Sequence, residues 1–317
     1  MQVHYLNKIY KSLFTNPVAT VGIFDGVHRG HVEILRILVN KAKQINGETV
    51  VITLWPHPRM VLYPGKEIKL LSTLDEKQQL LRQEGIDHLV IIPFDKDFAQ
   101  IEAKQFISEI LIDKIGIKSL LMGFDNHFGK NKEGSYDIIQ KASVQYGFDL
   151  LHPSPVFEGR DRISSTDIRL FLELGEVESA NKFLGYTYSL SGMVIKGKML
   201  GRTIGYPTAN IEPFEYKMLP RTGVYAVWVK TNGDIFKGML NIGFRPTVDT
   251  SLKNKTIEVH IINYQGDLYD QKITVTFARR IRDEIKFNNI EGLIEQLGKD
   301  KLQVIEILDT LKKEEAF

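Results

Sequence analysis

Two imidazoles three residues apart, His28 and His31, close the segment FDGVHRGH at residues 24–31, where an apolar run gives way to a helical pattern. At a turn from strand into helix, free backbone N–H groups and the helix dipole attract anions, so phosphate is the ligand these residues suit. Imidazole N–H donors there can offset charge developing on a phosphate during transfer, which is catalysis by electrostatic positioning rather than by a nucleophile. Gly22, Gly26 and Gly30 would let the backbone approach closely. The plainer alternative is that Asp25 and the histidines cap a helix. A metal site has no clear third ligand nearby. A second chemical segment is KTIEVHII, residues 255–262, whose alternation sets Ile257, Val259 and Ile261 on one face and Thr256, Glu258 and His260 on the other. A carboxylate projecting from the unpacked face is either a solvated group or a general base.

The elements that must carry these residues fall into two textures. Short β-branched runs (ATVGIF, TVVITLW, DHLVIIPF, KSLLMGF, DLLHPSPVF) alternate with helical patterns such as HVEILRILVNKAKQ and AKQFISEILIDKI. They predict a Rossmann-like α/β domain whose parallel sheet is covered on both faces. Thr73 and Glu76 fit a capping box. Beyond ISSTDIRLFLELGEVESANKFLG, Gly-rich turns separate alternating strands, and Asn232-Gly233 is a hairpin signal. This half predicts a small antiparallel β-barrel, with Leu293, Leu297, Val304, Leu308 and Leu311 facing it from a terminal helix. The boundary is placed near Tyr186, giving domains 1–185 and 186–317. A length of 317 residues suits two domains.

Composition excludes some classes. Forty-one Lys and Arg against 39 Asp and Glu leave +2, which offers no bulk field for nucleic acid or an anionic membrane. The absence of cysteine excludes disulfides, thiolate nucleophiles and thiolate metal sites. No apolar stretch reaches bilayer length and no leader pattern opens the chain, so the expectation is a cytoplasmic protein without membrane or nucleic-acid partners. Gly192, Gly197 and Lys198 satisfy G-x-x-x-x-G-K, but Met199 stands where a P-loop needs a hydroxyl and the sequence after it is turn-rich.

The octet F-D-G-V-H-x-G-H resembles the H-x-G-H signature of nucleotidyltransferases as used by bacterial FAD synthetases, and WPHP at 55–58, GFDNHFGKNKEG at 123–134 and ISSTDIR at 163–169 follow in that family's order. The resemblance implies ATP contacts from Gly22, Phe24, Gly26, His28, His31, Asp125, Ser164, Ser165, Thr166 and Arg169, and a flavin pocket bordered by His57, Pro58 and Asn126. Asn126 stands where the family's third motif has Phe. Read without the family, Ser165 and Thr166 are N-caps, His57 a turn residue and Arg169 a surface ion pair. In the second half, Gly201, Arg202, Gly205, Pro207, Thr208, Ala209 and Asn210 match the G-R-x-x-G-x-P-T-A-N signature of riboflavin kinases.

Together the halves resemble the bacterial bifunctional riboflavin kinase/FMN adenylyltransferases. The implied reactions are riboflavin plus ATP to FMN and ADP, then FMN plus ATP to FAD and pyrophosphate. Glu258 would be the kinase base. Gly197, Gly201 and Arg202 would hold its ATP, and Arg279 and Arg282 would contact flavin or phosphate. Thr208 and Asn210 offer oxygen ligands suited to Mg²⁺. A kinase-only enzyme and a non-catalytic flavin-binding regulator are the competing readings.

Overall fold

The computed structural model describes residues 1–10, 12–65, 68–123, 129–130, 134–154, 157–158, 161–197, 199–244 and 255–311. The chain forms two compact units, Met1–Ser164 and Ser165–Phe317.

In the first unit, strands β1 (Gln2–Tyr5), β2 (Val18–Val21), β3 (Thr49–Trp55), β4 (His88–Pro93), β5 (Ser119–Leu121) and β6 (Asp149–Leu151) form one sheet. Their order is β1-β4-β3-β2-β5-β6 and every pairing is parallel. The helices are α1 (Arg29–Gln44), α2 (Pro58–Leu62), α3 (Leu74–Gln83), α4 (Ala103–Gln105) running into a π-helical stretch Phe106–Ile115, and α5 (Tyr136–Tyr146). Successive strand residues enter opposite cores, as a covered parallel sheet requires. Val50 and Ile52 join Ile110, Leu111 and Ile139 on one side. Val51 joins Leu35, Leu38 and Leu81 on the other. The capping box of α3 forms: Thr73 N donates to Glu76 Oε2 at 2.9 Å and Glu76 N to Thr73 Oγ1 at 3.2 Å. Strand β1 was not expected. Its residues are mostly exposed, so no apolar run marks it, and it is held at the sheet edge by its register with His88–Ile91. A hairpin of β7 (Phe157–Glu158) and β8 (Asp161–Arg162) follows β6.

This strand order has a consequence for ligands. From β2 the chain steps outward through β3 and β4, then returns to place β5 on β2's other side. Ligands of open α/β sheets bind beyond the carboxyl ends of strands at such a switch point, which here is where FDGVHRGH leaves β2.

The second unit opens with α6 (Ser165–Leu174) and α7 (Val177–Leu184). It continues with β9 (Ser189–Ile195), α8 (Leu200–Thr203), β10 (Ala209–Pro213), β11 (Gly223–Thr231), β12 (Asp234–Phe244), β13 (Lys255–Ile261), β14 (Lys272–Arg282) and α9 (Ile290–Asp309). The six strands close a barrel in the order β10-β13-β12-β11-β14-β9, all antiparallel. Helix α7 is tied to it by Asn181, whose Nδ2 donates to Phe277 O at 2.9 Å and whose Oδ1 accepts from Tyr188 N at 2.7 Å. Asn232-Gly233 makes the β11–β12 hairpin with φ of 50° and 87°, as a type I′ turn needs. At Gly238 a Cβ would stand 2.7 Å from Val229 and 3.1 Å from Val227 and Val259, so the barrel interior has no room for one. Val224, Ala226 and Trp228, of opposite parity, pack outward with Val304, Ile307 and Leu308 of α9. Burying each such aliphatic chain contributes roughly 1.5–3 kcal/mol. Leu311 lies beyond α9 and is exposed. Gly192 sits inside β9 between Pro213 and Ile273, in a barrel strand rather than a phosphate-binding turn.

Candidate active sites

The turn after β2 is built from unusual backbone. Phe24, Gly26 and Val27 take φ of 51°, 79° and 34°, the left-handed region that only Gly enters freely. Such conformations persist where surroundings enforce them, and here a buried carboxylate does so. Asp25 accepts from Leu71 N at 3.1 Å to each oxygen and from Ser72 N at 3.1 Å, while Gly26 N donates to Ser72 Oγ at 3.0 Å. Gly22 and Gly30 are close-approach positions: a Cβ would lie 2.8 Å from the Phe24 ring and 3.2 Å from the His28 ring, respectively.

His28 is the N-cap of α1, its Nδ1 accepting from His31 N at 3.4 Å. Neutral His28 therefore carries its proton on Nε2 and presents a donor there. The His31 ring stacks on it at 3.7 Å between centroids and lies 5.0 Å from Phe24. Burial first, then the neighbouring His28 and Lys77, hold His31 well below its ordinary 6.5, so it is neutral at pH 7. Its Nδ1 is buried with no hydrogen-bond partner in the protein. Capping and phosphate binding are thus compatible, because the cap itself needs only Nδ1 of His28.

Sequence reasoning missed Lys77. It is only 2% exposed, its ammonium 5.6 Å above the Trp55 ring. Burial pulls its pKa down to about 8, against the opposing pull of Asp25. A lysine one turn into a capped helix reads by default as solvated; here it is buried against Trp55, within the field of Asp25.

His57 caps α2, Nδ1 accepting from Arg59 N at 3.1 Å, with Pro58 as the first helical residue. Asp125 and Asn126 lie outside the described residues. Ser164 closes the first unit, and Ser165 and Thr166 open α6, where Arg169 Nη1 donates to Ser165 O at 3.1 Å.

In the barrel, Glu258 faces Asn210 of β10 and Asn241 of β12 in register, and Thr208 Oγ1 donates to Glu258 Oε2 at 3.4 Å. Asn241 was not picked out from the sequence, because only barrel closure places it beside Glu258. A Cβ at Gly197 would stand 2.2 Å from Asn210 Nδ2, and one at Gly201 2.2 Å from Tyr206 O, so both glycines are sites of close approach. Arg202 lies over the Tyr269 ring at 5.9 Å. The outward face of β13 is not wholly solvated: Glu258 is half-buried, but His260 is buried at 6% exposure. Thr208 and Asn210 present hard oxygen donors beside a carboxylate, a set that fits Mg²⁺. Among the described residues no group of three His, Cys, Asp or Glu is arranged for a metal.

Arg279 and Arg282 of β14 have protein partners. Arg279 pairs with Glu178 at 2.8 Å, and Arg282 meets Asp300 through Nη2 at 2.6 Å and Nε at 3.0 Å. Their strand β14 lies across the barrel from β13.

A family model for FAD synthetase matches residues 11–167, and one for riboflavin kinase matches residues 184–308. The bifunctional riboflavin kinase/FMN adenylyltransferase of Escherichia coli K12 is 37% identical over 93% of this chain and 94% of its own length. That of Bacillus subtilis is 36% identical over 93% and 94%. A crystal structure described as a macrolide-efflux protein from Streptococcus pneumoniae is 29% identical, covers 95% of this chain and 98% of its own, and superposes with a TM-score of 0.85. Among the described residues here, no helix is long and apolar enough to cross a membrane. With one module matched in each half and relatives matched along nearly their whole length, the chain belongs to the bifunctional riboflavin kinase/FMN adenylyltransferase family.

Proposed function

We propose that the two halves act in turn on one flavin, the barrel making FMN from riboflavin and ATP, and the α/β half joining FMN to AMP from a second ATP with release of pyrophosphate. The observation that carries the first step is Glu258, held between Asn210 and Asn241 with Thr208 on its carboxylate. Glu258 accepts the proton of the riboflavin 5′-hydroxyl as that oxygen attacks the γ-phosphorus. Thr208 and Asn210 would hold Mg²⁺, which when bound supplies charge neutralisation on the phosphates. Gly197 and Gly201 give the nucleotide backbone contacts, with Arg202 beside them.

Adenylyl transfer needs no base, because the FMN phosphate is already ionised. His28 donates from Nε2 and neutral His31 from its ring N–H to phosphate oxygens at the start of α1, where helix N–H groups add to the stabilisation. His57 and Pro58 border the flavin. Functional halves of 1–185 and 186–317, a cytoplasmic setting and the absence of nucleic-acid partners complete the reading.

The test is a time course with riboflavin, ATP and Mg²⁺, flavins being separated by chromatography. FMN should appear first and FAD after it. His28→Ala should abolish FAD and spare FMN, and Glu258→Ala should block FMN while FAD still forms from supplied FMN. Equal loss of both activities in either folded variant would refute two separate sites.

A further inference from the structure

The hydrogen bonds around the loop before β10 assign a task to a buried side chain that the reaction itself does not use. His260 Nδ1 lies 2.9 Å from Pro207 O. A carbonyl only accepts, so Nδ1 carries the ring proton. Two residues earlier on the same strand and face, Glu258 accepts from Thr208, the residue after Pro207. One strand thus grips two consecutive loop residues, one by its carbonyl and the next by its hydroxyl. The β10–β13 register begins only at Ala209↔Val259, so Pro207 and Thr208 precede the ladder. Proline has no N–H to join one.

We propose that His260 is a positioning residue of the kinase: its bond to Pro207 O fixes the peptide that presents Thr208 to Glu258. This rests on the role given above to Thr208 and Glu258. The grip extends behind the ring. Tyr206 meets His260 edge-on at 5.3 Å between centroids, and Tyr206 packs into the apolar cluster under α9. Tyr206 N also donates to Gly201 O at 2.8 Å, which links the same anchor to the glycine loop. Burial, outweighing the Pro207 bond, lowers the pKa of His260, with Lys301 adding to the depression, so the ring is neutral at working pH and Nδ1 retains the needed tautomer.

Two substitutions separate positioning from packing. His260→Asn keeps a donor at the place of Nδ1 and loses the ring; His260→Phe keeps the ring and loses the donor. The full-length chain is assayed for FMN formation at saturating riboflavin, ATP and Mg²⁺, with melting temperature and FAD formation from supplied FMN measured alongside. Misplacement of a loop of this kind costs roughly 10- to 100-fold in rate. The expected result is that loss in kcat for His260→Phe and recovery to within about threefold of the parent for His260→Asn, whichever melts higher. In a Thr208→Ala background, His260→Phe should cost less than about threefold more, because the coupled partner is gone. Phe at parental rate, Asn slow, or full additivity with Thr208→Ala would overturn the inference while leaving the kinase site standing. A Thr208→Ala variant with parental kcat would overturn both.

Discussion

Lys77 makes the sharpest test of the adenylyltransferase half, because a buried ammonium should cost stability. Its pKa of about 8, against an ordinary 10.5, means that the folded chain binds its proton less tightly than the unfolded chain. Between about pH 8 and 10.5 the unfolded state holds more protons, so stability rises with pH, and below 8 the whole penalty is present. That depression corresponds to roughly 3 kcal/mol. Lys77→Met removes the charge at similar length. Asp25 keeps the amides of Leu71 and Ser72 as donors, so the net gain at pH 7 should be about 2 kcal/mol, within the range seen when buried charges are replaced by apolar groups. The chain has two tryptophans, of which Trp55 lies beside Lys77. Urea unfolding followed by fluorescence in a Trp228→Phe background therefore reports on the first unit. The variant should be the more stable at neutral pH, with its advantage shrinking towards zero near pH 10.5. FAD formation should fall at least tenfold, because the lost charge acts on His31 and Asp25 of the turn proposed above to hold phosphate. A variant less stable at pH 7, by a deficit that does not change up to pH 10, would refute the reasoning.

Other consequences follow from single contacts. His31 is neutral when folded and charges on unfolding below about pH 6.5, so it makes stability fall as pH drops through that value; His31→Phe should flatten the acid limb of urea unfolding by up to about 1.4 kcal/mol per pH unit. Gly197→Ala would drive a Cβ to 2.2 Å from Asn210 Nδ2, and should lower FMN formation about tenfold or more with FAD formation from supplied FMN unchanged. Arg282→Met leaves Asp300, 1% exposed, without its cation, which should cost about 3–5 kcal/mol and appear as a lower melting temperature. An unchanged melting temperature with a raised KM for riboflavin would make Arg282 a flavin contact instead.

What could be read from the sequence tracks what is locally determined. The parallel sheet was legible because Val50, Val51 and Ile52 must each be buried, whichever face they take, and a run apolar on both faces has few other homes. The Thr73–Glu76 box and the Asn232-Gly233 turn were legible because their partners lie within three residues. What escaped is pairing across distance. Asn241 stands beside Glu258 only once β12 and β13 are in register, and Asp300 is a helical aspartate like any other until Arg282 arrives from β14. His260 was read with Glu258 as part of one polar face, yet Tyr206 and the apolar cluster under α9 cover the first and leave the second half-open. Lys77 is the extreme case, since no sequence rule predicts a buried lysine; only the folded chain sets it against the Trp55 ring and within the field of Asp25, itself fixed by Leu71 N, Ser72 N and Ser72 Oγ. The escaped residues are mostly polar groups held at a cost in desolvation, and a fold keeps such groups where their charge or hydrogen bond is needed in one place. On that argument the buried charges behind a recognisable motif, rather than more of the motif, are where the remaining determinants of rate should be sought.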